Sequence, residues 1–126
     1  MTQVREIYFC SICGNLIEVL SSGAPALVCC GQPMELVKAK TEDGAVEKHV
    51  PFMEDYEGGV KVTIGQNAAH PMTDEHYIKF IEIRTPTKVG RAELKPGDAP
   101  EATFYMPSDE ITEVYEYCNV HGLWKK

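Results

Sequence analysis

Five cysteines and four histidines are the side chains in this 126-residue sequence best able to do chemistry, and their spacing sorts them into two groups. The first group is Cys10-Ser11-Ile12-Cys13, followed further along by the adjacent pair Cys29-Cys30. Gly14 and Gly31 stand directly after the thiol pairs, where a turn lets backbone amides point back at sulfur. Four thiolates suit a tetrahedral site for iron or zinc. Neighbouring thiolates should distort that tetrahedron, and spacing does not say which metal prefers the distortion. Because five is an odd number, complete pairing into disulfides is excluded, and metal ligation in a reducing compartment is the better reading of these thiols.

The second group starts from Cys118-Asn119-Val120-His121, whose spacing lets a thiol and an imidazole reach one ion. The other histidines lie beside prolines, as in His49-Val50-Pro51 and His70-Pro71, or just ahead of an apolar stretch, as in His76-Tyr77-Ile78. All fall at predicted strand ends or in loops, where the rim of a β-sandwich can gather them. Four neutral imidazoles and one thiolate are too many ligands for tetrahedral zinc. They suit a five-coordinate ferrous ion with its sixth position open. A thiolate opposite that position pushes electron density onto iron, which points to redox chemistry on a small oxygen species.

The elements that must hold these donors read as mainly β. Leu16-Ile17-Glu18-Val19-Leu20 is a short strand between the two thiol pairs, and Ser21 to Pro25 is its turn. Lys38 to Ala45 is polar and reads as a linker, so residues 1–37 form a small metal-stapled domain and 46–126 a larger one. A 37-residue segment cannot bury enough apolar surface to fold alone, and the metal would supply much of its stability. In the second domain Val60-Lys61-Val62-Thr63-Ile64 alternates cleanly, and Tyr77 to Thr85 is a longer strand with two apolar faces. Thr103 to Met106 and Ile111 to Tyr117 follow, with Pro/Gly punctuation between. This pattern predicts an immunoglobulin-like antiparallel sandwich with no helix of useful length.

Composition narrows the function classes. Hydrophobic residues at 44% and charged residues at 25% argue against disorder. No apolar run approaches the roughly 20 residues of a membrane span, and the first residues lack the layout of a secretory signal, so a cytoplasmic protein is expected. The formal net charge of −7 disfavours nucleic acid and anionic membrane as partners. An anionic substrate would need a local positive patch to draw it in.

With these residues in view, the chain resembles the desulfoferrodoxins, two-iron superoxide reductases. The carrying motifs are Cys10-x-x-Cys13-Gly14-Asn15, Val28-Cys29-Cys30-Gly31, Glu47-Lys48-His49-Val50-Pro51, His70-Pro71-Met72 through Glu75-His76-Tyr77-Ile78, Leu94 to Ala102, and Glu116-Tyr117-Cys118-Asn119-x-His121-Gly122-x-Trp124-Lys125. The first 36 or so residues look like desulforedoxin and the remainder like the neelaredoxin-type domain. The resemblance implies a rubredoxin-like iron on Cys10, Cys13, Cys29 and Cys30. It implies a second, catalytic iron with His49, His70, His76 and His121 equatorial and Cys118 axial. It further implies a homodimer, reduction of superoxide to hydrogen peroxide, and a small rubredoxin-type electron donor. Leu123 before Trp124 and Phe52 to Asp55 after the His-Val-Pro motif are departures that touch no ligand.

Two neighbours of His49 are expected to take part in catalysis. Lys48 would supply the positive charge that attracts the anion and helps organise a proton-donating water. Glu47, a hard carboxylate, would occupy the vacant position once iron is ferric, as the resemblance implies. Trp124 and Tyr115 read as packing. Competing readings are an electron-transfer iron protein without superoxide chemistry, a zinc-stapled interaction module, and a dismutase that would release oxygen as well as peroxide.

Overall fold

The protein's structure, a computed structural model, describes residues 1–42, 49–66 and 68–126. It divides into two compact units, Met1–Lys38 and Ala39–Lys126. Of the polar stretch read as a linker, Ala39 to Glu42 fall with the second unit, and residues 43–45 lie outside the described residues. Among the described residues no helix is long and apolar enough to cross a membrane.

In the first unit, β1 (Ile7–Phe9) is flanked by β2 (Leu16–Glu18) and β5 (Glu35–Val37) in an antiparallel sheet of order β2-β1-β5. The pair β3 (Val28–Cys29) and β4 (Gln32–Pro33) makes a separate hairpin. The buried apolar residues of this unit are few: Ile7, Cys10 and Val19, with Ile12, Leu20, Val28 and Leu36 exposed. So little apolar burial cannot offset the chain entropy of ordering such a segment, and an additional staple is needed.

Among the described residues the second unit is a seven-stranded sandwich. One sheet has the order β10-β7-β6, made by β6 (Phe52–Tyr56), β7 (Gly59–Thr63) and β10 (Glu101–Phe104). The other runs β12-β11-β8-β9, made by β8 (Ile78–Arg84), β9 (Val89–Glu93), β11 (Glu113–Cys118) and β12 (Gly122–Lys125). Strands one, two and five in one sheet against three, four, six and seven in the other is the Greek-key order of an immunoglobulin-like domain. The predicted alternation of residues 60–64 holds: Val60, Val62 and Ile64 are fully buried, while Lys61 points outward to Glu101 at 3.0 Å. Pro107-Ser108-Asp109, read as a turn, leads into a single 3-10 turn at Ser108–Glu110.

The two apolar faces of the third strand have a specific cause. Tyr117 pairs with Phe80 and Cys118 with Ile78, so Lys79 is an extra residue on β8 and the register shifts there. That bulge changes the phase of the strand. Ile78 therefore faces the same core as Ile81 and Ile83. Fully burying each of these isoleucines stabilises by about 1.5–3 kcal/mol. The opposite face of β8 carries Glu82 and Arg84, both buried, with Arg84 Nε donating to Glu82 Oε2 at 2.8 Å and the guanidinium 4.1 Å above the Tyr115 ring.

Candidate metal centres

In the first unit Cys10, Cys13, Cys29 and Cys30 bring their sulfurs within 4.8 Å of one another, and none is in a disulfide. The Cys13 and Cys29 sulfurs are 3.4 Å apart and those of Cys29 and Cys30 4.0 Å. A tetrahedron with metal–sulfur bonds of about 2.3 Å has edges of roughly 3.8 Å, so the thiols already stand at tetrahedral spacing. The turn after Cys10 is closed by Gly14 N–H donating to the Cys10 carbonyl at 2.8 Å and Cys10 N–H to that of Asn15 at 2.9 Å. On the other side Cys30 takes a positive φ of 52°, which lets two adjacent residues present both sulfurs to one point.

The protonation states make the same case. Backbone hydrogen bonds, that of Cys13 first, hold the Cys10 thiol down at about 7 against the cost of burial. Hydrogen bonds to Cys13 and Cys10, followed by burial, push Cys30 up to about 12. Cys29 is raised for the same reasons. The Cys10 thiolate forms readily while Cys29 and Cys30 resist, so a bound cation is what allows these neighbouring thiols to ionise together.

The second unit holds the other group. Four imidazoles form a closed circuit with near-equal steps: His49 to His70 is 4.7 Å between ring centroids, His70 to His76 4.8 Å, His76 to His121 5.0 Å and His121 to His49 4.9 Å. Cys118, fully buried, is within donor range of both halves of this circuit, His49 with His70 and His76 with His121. The nitrogens are pre-sorted. His49 Nδ1 meets Glu116 Oε2 at 3.2 Å and His70 Nδ1 meets the Pro71 carbonyl at 2.8 Å, which leaves Nε2 of each ring to act as a donor. His121 turns Nδ1 toward the Cys118 sulfur at 4.0 Å.

Three separate segments carry these donors, and each is fixed locally. His49 precedes β6, two residues before the buried Pro51. His70 and His76 ride the β7–β8 connection. At its start Gly65 has a φ of +85°, and a Cβ there would collide with the Ala68 carbonyl oxygen, so any other residue would displace the approach to His70. Thr73 and His76 exchange backbone hydrogen bonds, and Ile78 N–H donates to the Met72 sulfur at 3.4 Å. Cys118 and His121 flank the β11–β12 turn. Asn119 in that turn ties it to the preceding loop, its Oδ1 accepting from Tyr77 N–H at 2.9 Å and its Nδ2 donating to the Glu75 carbonyl at 3.0 Å.

All nine residues predicted as metal ligands thus fall into two clusters, while Glu47 and Lys48 lie outside the described residues. Sequence reasoning missed Glu116, Asn119 and the role of Trp124. Glu116 sits two residues before Cys118, so it shares that face of β11, and this signal was available in the strand period. Trp124, read as packing, stacks on His49 with centroids 4.6 Å apart and rings 13° from parallel.

Comparisons with known proteins agree with this geometry. The family model described as Desulfoferrodoxin, N-terminal domain, matches residues 2–37, and that described as Desulfoferrodoxin matches residues 41–126. The chain is 52% identical over 125 residues to desulfoferrodoxin of Nitratidesulfovibrio vulgaris, covering 99% of this chain and 98% of that one. It is 36% identical to a superoxide reductase of Pyrococcus horikoshii, over 68% of this chain and 90% of that protein. The crystal structure of the superoxide reductase from Treponema pallidum superposes with a TM-score of 0.78 at 32% identity, covering 96% of each chain. Two matched domains spanning nearly the whole sequence, each containing one of the two donor clusters, place this chain in the desulfoferrodoxin family.

Proposed function

We infer that the protein is a superoxide reductase, an oxidoreductase with two iron sites that converts superoxide to hydrogen peroxide. The observation that carries this reading is the circuit of four imidazoles with one buried cysteine common to both halves, a donor set suited to a non-haem ferrous ion. Cys10, Cys13, Cys29 and Cys30 would hold one iron, and His49, His70, His76, His121 and Cys118 the other. Bound ferrous iron at the second site supplies the one electron that superoxide needs, with two protons, to become hydrogen peroxide without release of oxygen.

The chain's own residues prepare that site. Glu116 and the Pro71 carbonyl occupy Nδ1 of His49 and His70, fixing ring orientation and presenting Nε2. Burial of Cys118 keeps its sulfur from water. Lys48 draws the anion toward an otherwise acidic protein and helps organise a proton-donating water, and Glu47 supplies a hard carboxylate suited to the oxidised metal. Residues 1–37 act as the four-cysteine domain and 46–126 as the catalytic one. The protein works in the cytoplasm as a homodimer and receives electrons from a small rubredoxin-type protein.

Pulsed generation of superoxide over the reduced, iron-loaded protein tests this reading. One peroxide per superoxide with no oxygen supports it; oxygen release would mean dismutation, and no reaction would leave an electron carrier. Lys48→Ala should slow the bimolecular step and flatten its dependence on ionic strength. An unchanged salt profile removes Lys48 from the mechanism.

A further inference from the structure

Lys40 and Trp124 are not among the five donors, yet three contacts join them to two of these donors and a fourth joins them to each other. The Trp124 indole lies nearly parallel against the His49 imidazole. Its Nε1–H donates to the His121 carbonyl at 3.2 Å. Lys40 Nζ donates to the same carbonyl oxygen at 2.9 Å and stands 5.0 Å from the centroid of the indole ring. The Lys40 backbone is held as well, in a parallel bridge with Trp124: its N–H donates to the Leu123 carbonyl and its carbonyl accepts from Lys125 N–H, both at 2.9 Å.

We propose that Lys40 and Trp124 form a positioning clamp for the histidine-cysteine metal site, Lys40 and the indole N–H fixing the His121 carbonyl while the indole face orients His49. This rests on the reading of that cluster as an iron site. A carbonyl oxygen has two lone pairs, and here two donors converge on it, which fixes the peptide plane that follows His121. That plane closes the turn from Cys118, so the clamp sets the spacing of Cys118 and His121 as well as the tilt of His49. Three of the five donors therefore answer to one assembly. The lysine charge has a second effect with a definite sign. A cation beside the site disfavours the more positive state of the metal, so Lys40 raises the ferric/ferrous potential. Neither effect requires Lys40 to touch substrate.

The test uses the full chain loaded with iron, with Fe(II) affinity of the second site read by chelator competition and its potential read by redox titration of the absorption spectrum. Lys40→Met is expected to weaken iron binding by about 10-fold, the low end for loss of an outer-shell partner, and to lower the potential. Lys40→Arg, which keeps the charge and the donors, should restore both. Trp124→Phe keeps a stacking ring but loses the N–H, and should weaken binding with little change in potential. Lys125→Met is the control. Its ammonium pairs with Glu113 at 3.1 Å, away from the donors, and its loss should leave both readings at wild type. Wild-type affinity and potential in both Lys40→Met and Trp124→Phe overturn the clamp, as does an equal shift in Lys125→Met. If the unaltered protein itself takes up no iron at this cluster, the metal-site reading fails and the clamp falls with it.

Discussion

Replacing Glu116 by Gln would isolate the charge beneath His49. Glu116 is fully buried and its Oε2 lies 3.2 Å from His49 Nδ1, itself only 4% exposed in its side chain, so solvent cannot take over this contact. Gln is nearly isosteric, and its carbonyl can still accept the Nδ1 proton, so the ring should stay in place while the negative charge goes. A hydrogen bond to a charged group contributes about 1.5–3 kcal/mol. Independently, loss of an outer-shell partner of a metal-bound histidine costs about 10–100-fold in affinity, or roughly 1.4–2.8 kcal/mol. The two estimates agree, and because Gln retains part of the bond, the expected loss for Glu116→Gln is near 10-fold. Glu116→Ala should approach 100-fold, since it also leaves a cavity and an unanchored ring. Removing a buried negative charge also disfavours the oxidised ion, so the potential should rise. Chelator competition with Fe(II) and redox titration measure both quantities. Unchanged affinity and potential in Glu116→Gln would refute the claim that this carboxylate tunes His49.

Other perturbations have equally definite outcomes. Removal of metal from the four-cysteine cluster should collapse amide dispersion in the NMR spectrum of residues 1–38 while leaving that of the sandwich in place, because so few apolar residues are buried in the first unit. Ile81→Ala, at a fully buried core position, should lower the stability of the second unit by about 2–5 kcal/mol in denaturant titration. The Tyr115 hydroxyl is pushed up to about 12 by burial and by its hydrogen bond to Glu113. A raised folded value means stability fully present below about pH 10, the ordinary tyrosine value, and lost as pH rises toward 12. Tyr115→Phe should therefore flatten the alkaline limb of a melting-temperature profile, and an unchanged limb would show that another group titrates there.

The donors were legible in the sequence because metal ligation needs particular residue types at particular spacings, and both clusters kept them. The strands that form the core were legible for a similar reason: Val60, Val62 and Ile64 alternate, and the alternation has a direct packing cause. Edge strands were harder to read. β6, Phe-Met-Glu-Asp-Tyr, is acidic and mostly exposed on its outer residues, and only its pairing with β7 through the tight turn at Glu57-Gly58 makes it a strand. β9 and β12 likewise take their conformation from β8 and β11 rather than from local preference. The bulge at Lys79 appeared in the sequence only as an apparent second apolar face. Lys40 gave no local signal, since its partners at 121 and 124 are distant along the chain.

The donors at positions 49, 70, 76, 118 and 121 come from three stretches that only the closed sandwich brings together. In a denatured chain the same side chains are scattered across long loops, and gathering them would cost the closure entropy of each. Iron capture at this centre must therefore follow docking of the two sheets. Once captured, the ion shifts the folding equilibrium toward the assembled state by mass action, because it binds the unfolded chain poorly. Metal content would then serve as a record of whether a given molecule had finished folding.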